Sequence, residues 1–175
     1  DAWLMAITGN PWWGDILERL SFYALPATIS ADMWTHQYDQ QINQIGCAPD
    51  IAACVFGTNG QEANLFGLEP NYGCCTANMP QGWPKFALSA VMKNENALFV
   101  ASPVPMTVHT TMHGTPVKLE ISGGYPFRDT VKIAVTVDAP VDFALDSRVP
   151  GFAKTAFLDG EMLTPGTIAS VSRTW

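Results

Sequence analysis

The sequence predicts a helical N-terminal part followed by an antiparallel β-domain of the sandwich or jelly-roll type. In the first part, apolar residues recur at helical spacing over residues 15–25 and again after Pro84. Beyond a polar run at residues 93–96, apolar and polar residues alternate, as they do in strands with one buried face. The change of period at the polar run predicts two domains, residues 1–96 and residues 97–175.

The helical part opens on two predicted helices. Residues 1–8 are typical of the last turns of a helix that ends at Gly9. Because the chain begins within a helix and without an initiating methionine, we expect it to be a piece of a longer protein. A second helix over residues 15–25 should end at Pro26. Its spacing predicts a buried face of Ile16, Leu17, Leu20 and Ala24, and a solvated face of Asp15, Glu18, Arg19 and Ser21.

Residues 31–44 mix aromatic and amide side chains without a clean period. Trp34 and Tyr38 belong to this stretch, and such a mixture can line a sugar site, because aromatic faces cover the C–H side of a ring while amides bond its hydroxyls. His36 lies between them, and its imidazole is open to a structural hydrogen-bonding role or to a role as a base. The residues from Cys47 to Glu62 are typical of a loop, with several turn-forming glycines and prolines.

Two adjacent cysteines, Cys74 and Cys75, are the least ordinary feature of the sequence. Their turn-forming neighbours predict that the pair lies on a loop; these neighbours are Pro70, Asn71, Gly73 and Asn78. A helix of about ten residues with proline at its first position should follow from Pro84. We expect it to bury Phe86, Ala87, Ala90 and Val91. Two thiols on a loop before a helix indicate thiolate chemistry.

The residues leave several interpretations of these cysteines open. Adjacent cysteines can both bind one Zn²⁺, but a closed site needs four ligands, and the spacing of Cys47 and Cys54 does not favour their completing it. Cys47 and Cys54 are equally compatible with a disulfide and with two free thiols. Two small buried side chains remain the plainest interpretation of the Cys74–Cys75 pair.

The second half predicts strands joined by tight turns. Alternation is clearest in three groups of residues: Val117, Leu119 and Ile121; Val131, Ile133, Val135 and Val137; Val141, Phe143 and Leu145. Hairpin turns are predicted at His113-Gly114, Gly123-Gly124 and Asp159-Gly160. With no third ligand nearby, His109 and His113 are interpreted as surface residues.

Composition limits the possible partners. The formal net charge is −7, which argues against nucleic acid and anionic membranes, because those partners draw affinity from Lys and Arg. No apolar run approaches the ~20 residues that span a bilayer. Only 14% of the residues are charged, so the surface must be rich in uncharged polar groups. That composition favours an extracellular or secreted protein with a neutral partner such as a carbohydrate, and it does not address the oligomeric state.

Several motifs together resemble the β-L-arabinofuranosidase-like glycoside hydrolases, family 127 and its relatives. The likeness covers nearly the whole chain, and its most specific block is Glu69-Pro70-Asn71-Tyr72-Gly73-Cys74-Cys75. The other motifs are Glu18-Arg19, Ala24-Leu25-Pro26-Ala27, Asp32-Met33-Trp34-Thr35-His36-Gln37-Tyr38, Gln81-Gly82-Trp83-Pro84, Tyr125-Pro126-Phe127 and Arg148-Val149-Pro150-Gly151-Phe152.

The resemblance implies the C-terminal part of an (α/α)₆ barrel followed by a β-sandwich domain, with a zinc site of three cysteines and a glutamate. It implies that Cys74 is both zinc ligand and nucleophile of a retaining glycosidase, and that Cys75 is a second zinc ligand. Glu18 and Tyr38 match positions that contact the sugar or orient the nucleophile, and His36 is assigned to substrate binding with them.

Two departures from the family pattern are visible. The other two zinc ligands, a Glu-x-Cys pair, and the acid/base glutamate would precede Asp1, so we expect no hydrolysis by these residues alone. Tyr23 stands where the family usually has asparagine. A glycosidase is therefore the leading hypothesis. The alternatives are a non-catalytic carbohydrate-binding or structural protein on the same scaffold, and a thiol redox protein that uses Cys74 and Cys75.

Overall fold

Helices occupy the first part of the chain and strands the last part. The computed structural model describes residues 1–40, 44, 46–49, 60, 62–67 and 73–175. The chain divides into two compact units, which we call the β unit (Asp1–Leu17 with Phe86–Trp175) and the thiol unit (Glu18–Lys85). The predicted domains 1–96 and 97–175 stay a prediction, because compactness alone does not define a domain. The chain is thus a mixed α and β structure whose sheets are mostly antiparallel.

The first helices confirm one prediction and correct another. Helix α1 (Ala2–Thr8) ends at Gly9 as predicted, where a positive φ of 65° suits glycine. Helix α2 (Trp12–Arg19) continues through a π-helical turn (Leu20–Ala24) into the short helix α3 (Leu25–Ala27). Pro26 therefore does not end the helix. It lies in the first turn of α3, and the carbonyl of Ser21, five residues earlier in the π-helical turn, accepts a hydrogen bond from Trp83 Nε1 at 3.0 Å.

The burial of this helical segment differs from the predicted one, although Arg19 is exposed as predicted and Ile16 and Leu17 are half-buried. Polar residues three apart are buried, with exposures of 7% for Asp15, 3% for Glu18 and 5% for Ser21. Leu20, predicted to be buried, is 45% exposed, and Ala24 is exposed as well. The interpretation of Glu18 as a solvated surface group is therefore wrong. The helical spacing was predicted correctly, but the buried face was not. The buried positions of this helix carry polar side chains that can form hydrogen bonds.

The cysteine pair lies in a helix and not on a loop. Helix α4 (Gly73–Asn78) contains both cysteines, and a 3₁₀ turn (Met79–Gln81) joins it to helix α5 (Gly82–Ser89). Asn78, interpreted from the sequence as a turn former, donates its side-chain Nδ2 to the Cys74 carbonyl 2.7 Å away. The Asn78 amide thus satisfies a carbonyl of the helix it ends.

Helix α5 is also shorter than predicted. It starts two residues before Pro84 and ends at Ser89, so Ala90 and Val91 lie beyond it. Phe86 is buried as predicted, but Ala87 is exposed. Among the described residues, no helix combines the length and the apolar character that crossing a bilayer requires.

The strands of the described residues form three sheets. Their bounds are β1 Val91–Lys93, β2 Ala97–Val100, β3 Met106–Met112, β4 Thr115–Gly123, β5 Val131–Val137, β6 Asp142–Arg148, β7 Ala156–Leu158, β8 Glu161–Leu163 and β9 Ile168–Thr174. The strand orders are β1-β2-β6-β9, β3-β4-β5 and β7-β8. All pairs are antiparallel except β2 with β6, which run parallel. The polar run 93–96 starts at the last residue of β1, and its other three residues connect β1 to β2.

Apolar side chains from the two larger sheets share common clusters. One cluster holds Leu98, Met112, Val117, Val141 and Phe143, and another holds Val100, Leu119 and Ile121. The alternation predicted for β4 is therefore confirmed. The hairpin turn at His113-Gly114 is confirmed too, since both residues have positive φ, 48° and 84°, as a tight two-residue turn requires.

A buried ion pair joins α2 to the end of β6 within the β unit. The Arg148 side chain is fully buried, and its Nη1 donates to Asp15 Oδ1. Arg148 Nε donates to the Ala101 carbonyl at 2.6 Å, and the Gly151 backbone N–H donates to Asp15 Oδ2 at 2.9 Å. Gly14 makes room for this arrangement, because a Cβ there would lie 2.4 Å from Arg148 Cδ. The pair fixes three chain segments together.

We expect Arg148→Met to destabilise the chain by about 3 kcal/mol, because it leaves the Asp15 carboxylate buried without its cation. Urea unfolding followed by circular dichroism measures the change in the free energy of unfolding. The matched control is Lys118→Met, which removes the exposed pair with Glu120 (3.0 Å) and should change stability by at most about 0.5 kcal/mol. Equal effects of the two substitutions would contradict a structural role for the buried pair.

Candidate thiol site

The two cysteine sulfurs lie next to each other at the surface of the thiol unit. Cys74 Sγ and Cys75 Sγ are 3.6 Å apart, Cys74 is exposed and Cys75 is half-buried. The interpretation of the pair as two small buried residues is therefore wrong. Cys47 is a free, exposed thiol, while Cys54 and Glu69 lie outside the described residues.

The environment of Cys75 favours its neutral thiol. Burial raises the pKa of this thiol, and the hydrogen bond and charge of neighbouring Cys74 raise it further, as does the charge of Asp39, to about 11. A Cys75 thiolate at neutral pH therefore needs an added positive charge near it. A metal cation supplies such a charge.

His36 connects the stretch around Trp34 to the cysteine helix. Its backbone pairs with Ile29 and with Gly67, and its side chain is 5% exposed. His36 Nε2 is 3.0 Å from Thr76 Oγ1, so the imidazole is hydrogen-bonded to the residue directly after Cys75. His36 Nδ1 is buried and has no hydrogen-bond partner in the part of the chain that the structure describes.

A buried amide network supports the same stretch. The Gln37 side chain, 6% exposed, donates Nε2 to the Asn64 carbonyl at 2.7 Å and to Cys47 Sγ at 3.2 Å. The backbone N–H of Gln37 donates to the Thr28 carbonyl at 2.8 Å, and that of Asp39 to the Ala63 carbonyl at 2.9 Å. Residues 36–39 are thus held by backbone hydrogen bonds on both sides, as a central strand of a sheet is.

Trp34 is presented by a tight turn. Asp32 Oδ1 accepts a hydrogen bond from Ser30 Oγ at 2.6 Å and one from the Trp34 backbone N–H at 3.1 Å. These bonds lower the pKa of the Asp32 carboxyl, with the Ser30 bond the larger cause. The Trp34 side chain is 73% exposed. A bare indole face fits the predicted sugar-binding character of this stretch.

The structure brings only part of the predicted site together. Cys74 and Cys75 adjoin each other, and His36 reaches them through Thr76. Glu18 is buried and Tyr38 is half-buried, and their roles in substrate binding stay predictions.

Sequence reasoning missed Thr76, Gln37 and Asn64 as parts of this framework. Thr76 directly follows the cysteines, which was a usable signal, whereas the pairing of Gln37 with Asn64 across 27 positions leaves no local pattern.

The sulfur positions suit a zinc ion, although the described residues contain no group of three or more potential ligands. Zinc bound by thiolates at about 2.3 Å in a tetrahedron holds its sulfurs about 3.8 Å apart. The 3.6 Å separation of the two Sγ atoms is close to that edge. Cys74 and Cys75 therefore fit two neighbouring positions of one tetrahedral site.

The fold is shared with solved glycoside hydrolase structures. A GH127 β-L-arabinofuranosidase from Geobacillus stearothermophilus T6 superposes with a TM-score of 0.74 and 18% identity, over 98% of this chain and 27% of that chain. A second structure, described as a glycoside hydrolase, gives 0.77 and 18% over 99% of this chain and 29% of that one. A GH127 β-arabinofuranosidase gives 0.77 and 17% over 98% and 28%.

These comparisons confirm the resemblance to family 127 at the level of the fold. The chain spans less than a third of the length of each of these solved proteins. No family model matches the sequence, and no curated protein matches it. The chain therefore has the fold of one part of these larger proteins.

We expect alkylation of Cys75 by iodoacetamide, in metal-free protein, to accelerate about tenfold per pH unit between pH 8 and 10, because only the thiolate reacts. The pKa of about 11 puts the whole of this range below half-ionisation. Peptide mass spectrometry measures the rate at Cys75 separately. Cys74→Ser should raise the Cys75 rate at pH 8, since it removes two of the causes that raise the pKa. A Cys75 rate that levels off by pH 9 would contradict this environment.

Proposed function

We propose that this chain is part of a retaining glycoside hydrolase that acts on L-arabinofuranosides or related sugars, with Cys74 as its nucleophile. The observation that carries the proposal is the pair of adjacent sulfurs, 3.6 Å apart, in a fold shared with GH127 β-L-arabinofuranosidases. Neither element suffices alone. Proteins with different functions can share one fold, and paired thiols take part in several kinds of reaction.

Cys74 and Cys75 would hold a zinc ion together with ligands from elsewhere in the protein. Bound zinc would keep the two sulfurs deprotonated at neutral pH. Without a cation the pKa of the Cys75 thiol is raised to about 11, so zinc binding at neutral pH would release its proton.

The exposure of Cys74 supports its assignment as the nucleophile. In the first step the Cys74 sulfur donates an electron pair to the anomeric carbon, and the bond from that carbon to the leaving oxygen breaks. The leaving oxygen takes a proton from an acid, and the sugar is left as a thioether on Cys74. In the second step water attacks the same carbon, gives up a proton, and the carbon–sulfur bond breaks. Two inversions give overall retention.

Three further residues would bind the sugar. His36 lies beside the cysteine helix through its bond to Thr76, the residue directly after Cys75, and would bind the sugar from there. Glu18 and Tyr38 would contact the sugar or orient the nucleophile. The exposed indole of Trp34 adds an apolar face to this polar set.

The proposal also includes the domain architecture of the protein and its cellular location. The helices would belong to the C-terminal part of an (α/α)₆ barrel, and the two larger sheets to a β-sandwich domain. The apolar clusters that draw residues from both sheets support the sandwich. An uncharged polar surface supports an extracellular or secreted location.

The nucleophile is tested in the full-length protein that contains this chain. We expect Cys74→Ser to lower the hydrolysis of an aryl β-L-arabinofuranoside by at least about a thousandfold, because the covalent step is lost. The matched control is Cys47→Ser, which alters a thiol outside the proposed chemistry and should leave the rate within about twofold. A pentosyl group trapped on the Cys74 peptide would support the proposal. An active Cys74→Ser variant would refute it.

Zinc binding is tested in the same protein by elemental analysis after gel filtration. We expect one zinc per chain in the wild type and in Cys47→Ser, and less than about a tenth of that in Cys75→Ser, because a structural thiolate ligand is lost. Full zinc in Cys75→Ser would show that the pair does not hold the metal.

A non-catalytic carbohydrate-binding protein is the second candidate, favoured by the 73% exposure of Trp34. Sugar binding that persists in a chelator, and that Trp34→Ala abolishes while Cys74→Ser does not, would favour this candidate over the enzyme.

A further inference from the structure

The cysteine helix α4 depends on outside contacts for its position. It has six residues, Gly73–Asn78, and none of them is buried. A helix of this length is marginal by itself, since isolated helices shorter than about 12–15 residues barely offset the cost of their first turn. No residue of α4 supplies a buried apolar anchor within the described part of the chain. Its polar contacts therefore determine where the two sulfurs lie.

One of these polar contacts reaches a distant segment of the chain. Thr76 Oγ1 lies 3.0 Å from His36 Nε2, and the two residues are 40 positions apart. By contrast, the Asn78 side chain donates to the Cys74 carbonyl, so that hydrogen bond stays inside the helix. The Thr76 hydroxyl thus ties α4 to the segment that contains His36.

His36 is a rigid support for that hydrogen bond. Its backbone N–H donates to the Gly67 carbonyl at 3.2 Å, and its carbonyl accepts from the Gly67 N–H at 3.3 Å. On the other side, the N–H of Gln37 donates to the Thr28 carbonyl at 2.8 Å. His36 is also buried. Because its backbone is held on both sides, the imidazole restricts the hydroxyl that is bound to it.

A second residue of the same segment lies beside the same helix. Burial is the largest cause that raises the pKa of the Cys75 thiol, and the charge of Asp39 contributes to that shift, so the Asp39 carboxylate is near this thiol. The backbone N–H of Asp39 donates to the Ala63 carbonyl at 2.9 Å. Residues 36–39 therefore lie against α4 at two consecutive positions, Cys75 and Thr76.

The rotation of α4 about its axis matters because a zinc site tolerates little displacement of its ligands. A helix with its side chains has a radius of about 5 Å, so a rotation of about 10° moves a sulfur by roughly 0.9 Å. Metal–ligand distances in a real site stay within about 0.2 Å of their usual values. Cys74 and Cys75 can therefore share a metal with ligands from elsewhere only if α4 keeps its rotation.

We propose that Thr76 is a positioning residue for the thiol pair, because its hydrogen bond with His36 fixes the rotation of α4. The inference rests on the proposed zinc-binding function of Cys74 and Cys75. It gives the Thr76 hydroxyl no contact with the sugar.

The test compares Thr76→Val, which removes the hydroxyl and keeps the shape, with Thr76→Ser, which keeps the hydroxyl. Both are made in the full-length protein that contains this chain. We expect Thr76→Val to weaken zinc binding about tenfold, as loss of a group that orients metal ligands does. Competition with a chromophoric chelator measures the affinity. Thr76→Ser should stay within about threefold of the wild type. The matched control Thr136→Val, at an exposed position of β5, should bind zinc like the wild type.

Alkylation of the metal-free protein supplies a readout that does not depend on zinc. Cys75 is half-buried, so a helix that is free to rotate exposes its sulfur. We expect iodoacetamide to modify Cys75 at least about threefold faster in Thr76→Val than in the wild type, because access limits thiol reactivity. Thr76→Ser and Thr136→Val should react at the wild-type rate, and peptide mass spectrometry measures the rate at Cys75.

Two results would overturn the proposal: a Cys75 alkylation rate in Thr76→Val equal to that of the wild type, or the same increase in Thr76→Ser. Failure of the proposed function is distinguishable from these results. It would appear as wild-type protein without zinc, whereas the alkylation rates would still test the bond between Thr76 and His36.

Discussion

The bond between Arg148 and Asp15 is the constraint on which the β unit depends. It links residues 133 positions apart, and the same two side chains bind the backbone at Ala101 and Gly151. A charge buried this completely is tolerable only when its counter-charge is close, and Asp15 supplies that counter-charge. The carboxylate on α2 and the guanidinium at the end of β6 are therefore buried together. The absence of a side chain at Gly14 follows from the same requirement, since the arginine passes over that backbone.

The thiol unit obeys a different constraint. Its described part has few large buried apolar side chains, and hydrogen bonds through buried polar groups hold it together instead. His36 and Gln37, adjacent in the chain, send their side chains to different partners, Thr76 and Asn64. Hydrogen bonds are directional, so these contacts restrict the position of helix α4 more than apolar contacts alone would. The cysteine pair at the start of α4 benefits from that precision.

The sequence predicted those features that depend on local pattern. Alternation located β4 and its buried residues, and Gly9 and His113-Gly114 marked a helix end and a turn, because positive φ leaves a residue signature. The sequence did not predict burial that depends on contacts between residues far apart in the chain. Asp15 and Glu18 read as solvated because nothing near them in sequence shows their burial, and Arg148 is far away along the chain. The cysteine pair was recognised from its motif, but its helical conformation was not, since Gly73 and Asn78 are turn formers that also begin and end helices. The roles of Glu18 and Tyr38 came from resemblance alone.

The parallel pairing of β2 with β6 affects how the β unit reaches its native state. Paired residues of these two strands are 47 positions apart, and the intervening chain holds the three antiparallel strands β3, β4 and β5. The meander of β3–β5 closes short loops, so it can form early. Once formed, it shortens the effective distance that the ends of β2 and β6 must travel to meet. On loop-closure grounds we expect the four-stranded sheet to be completed after the meander, because β2 and β6 close the longest stretch of chain among the described strand pairs.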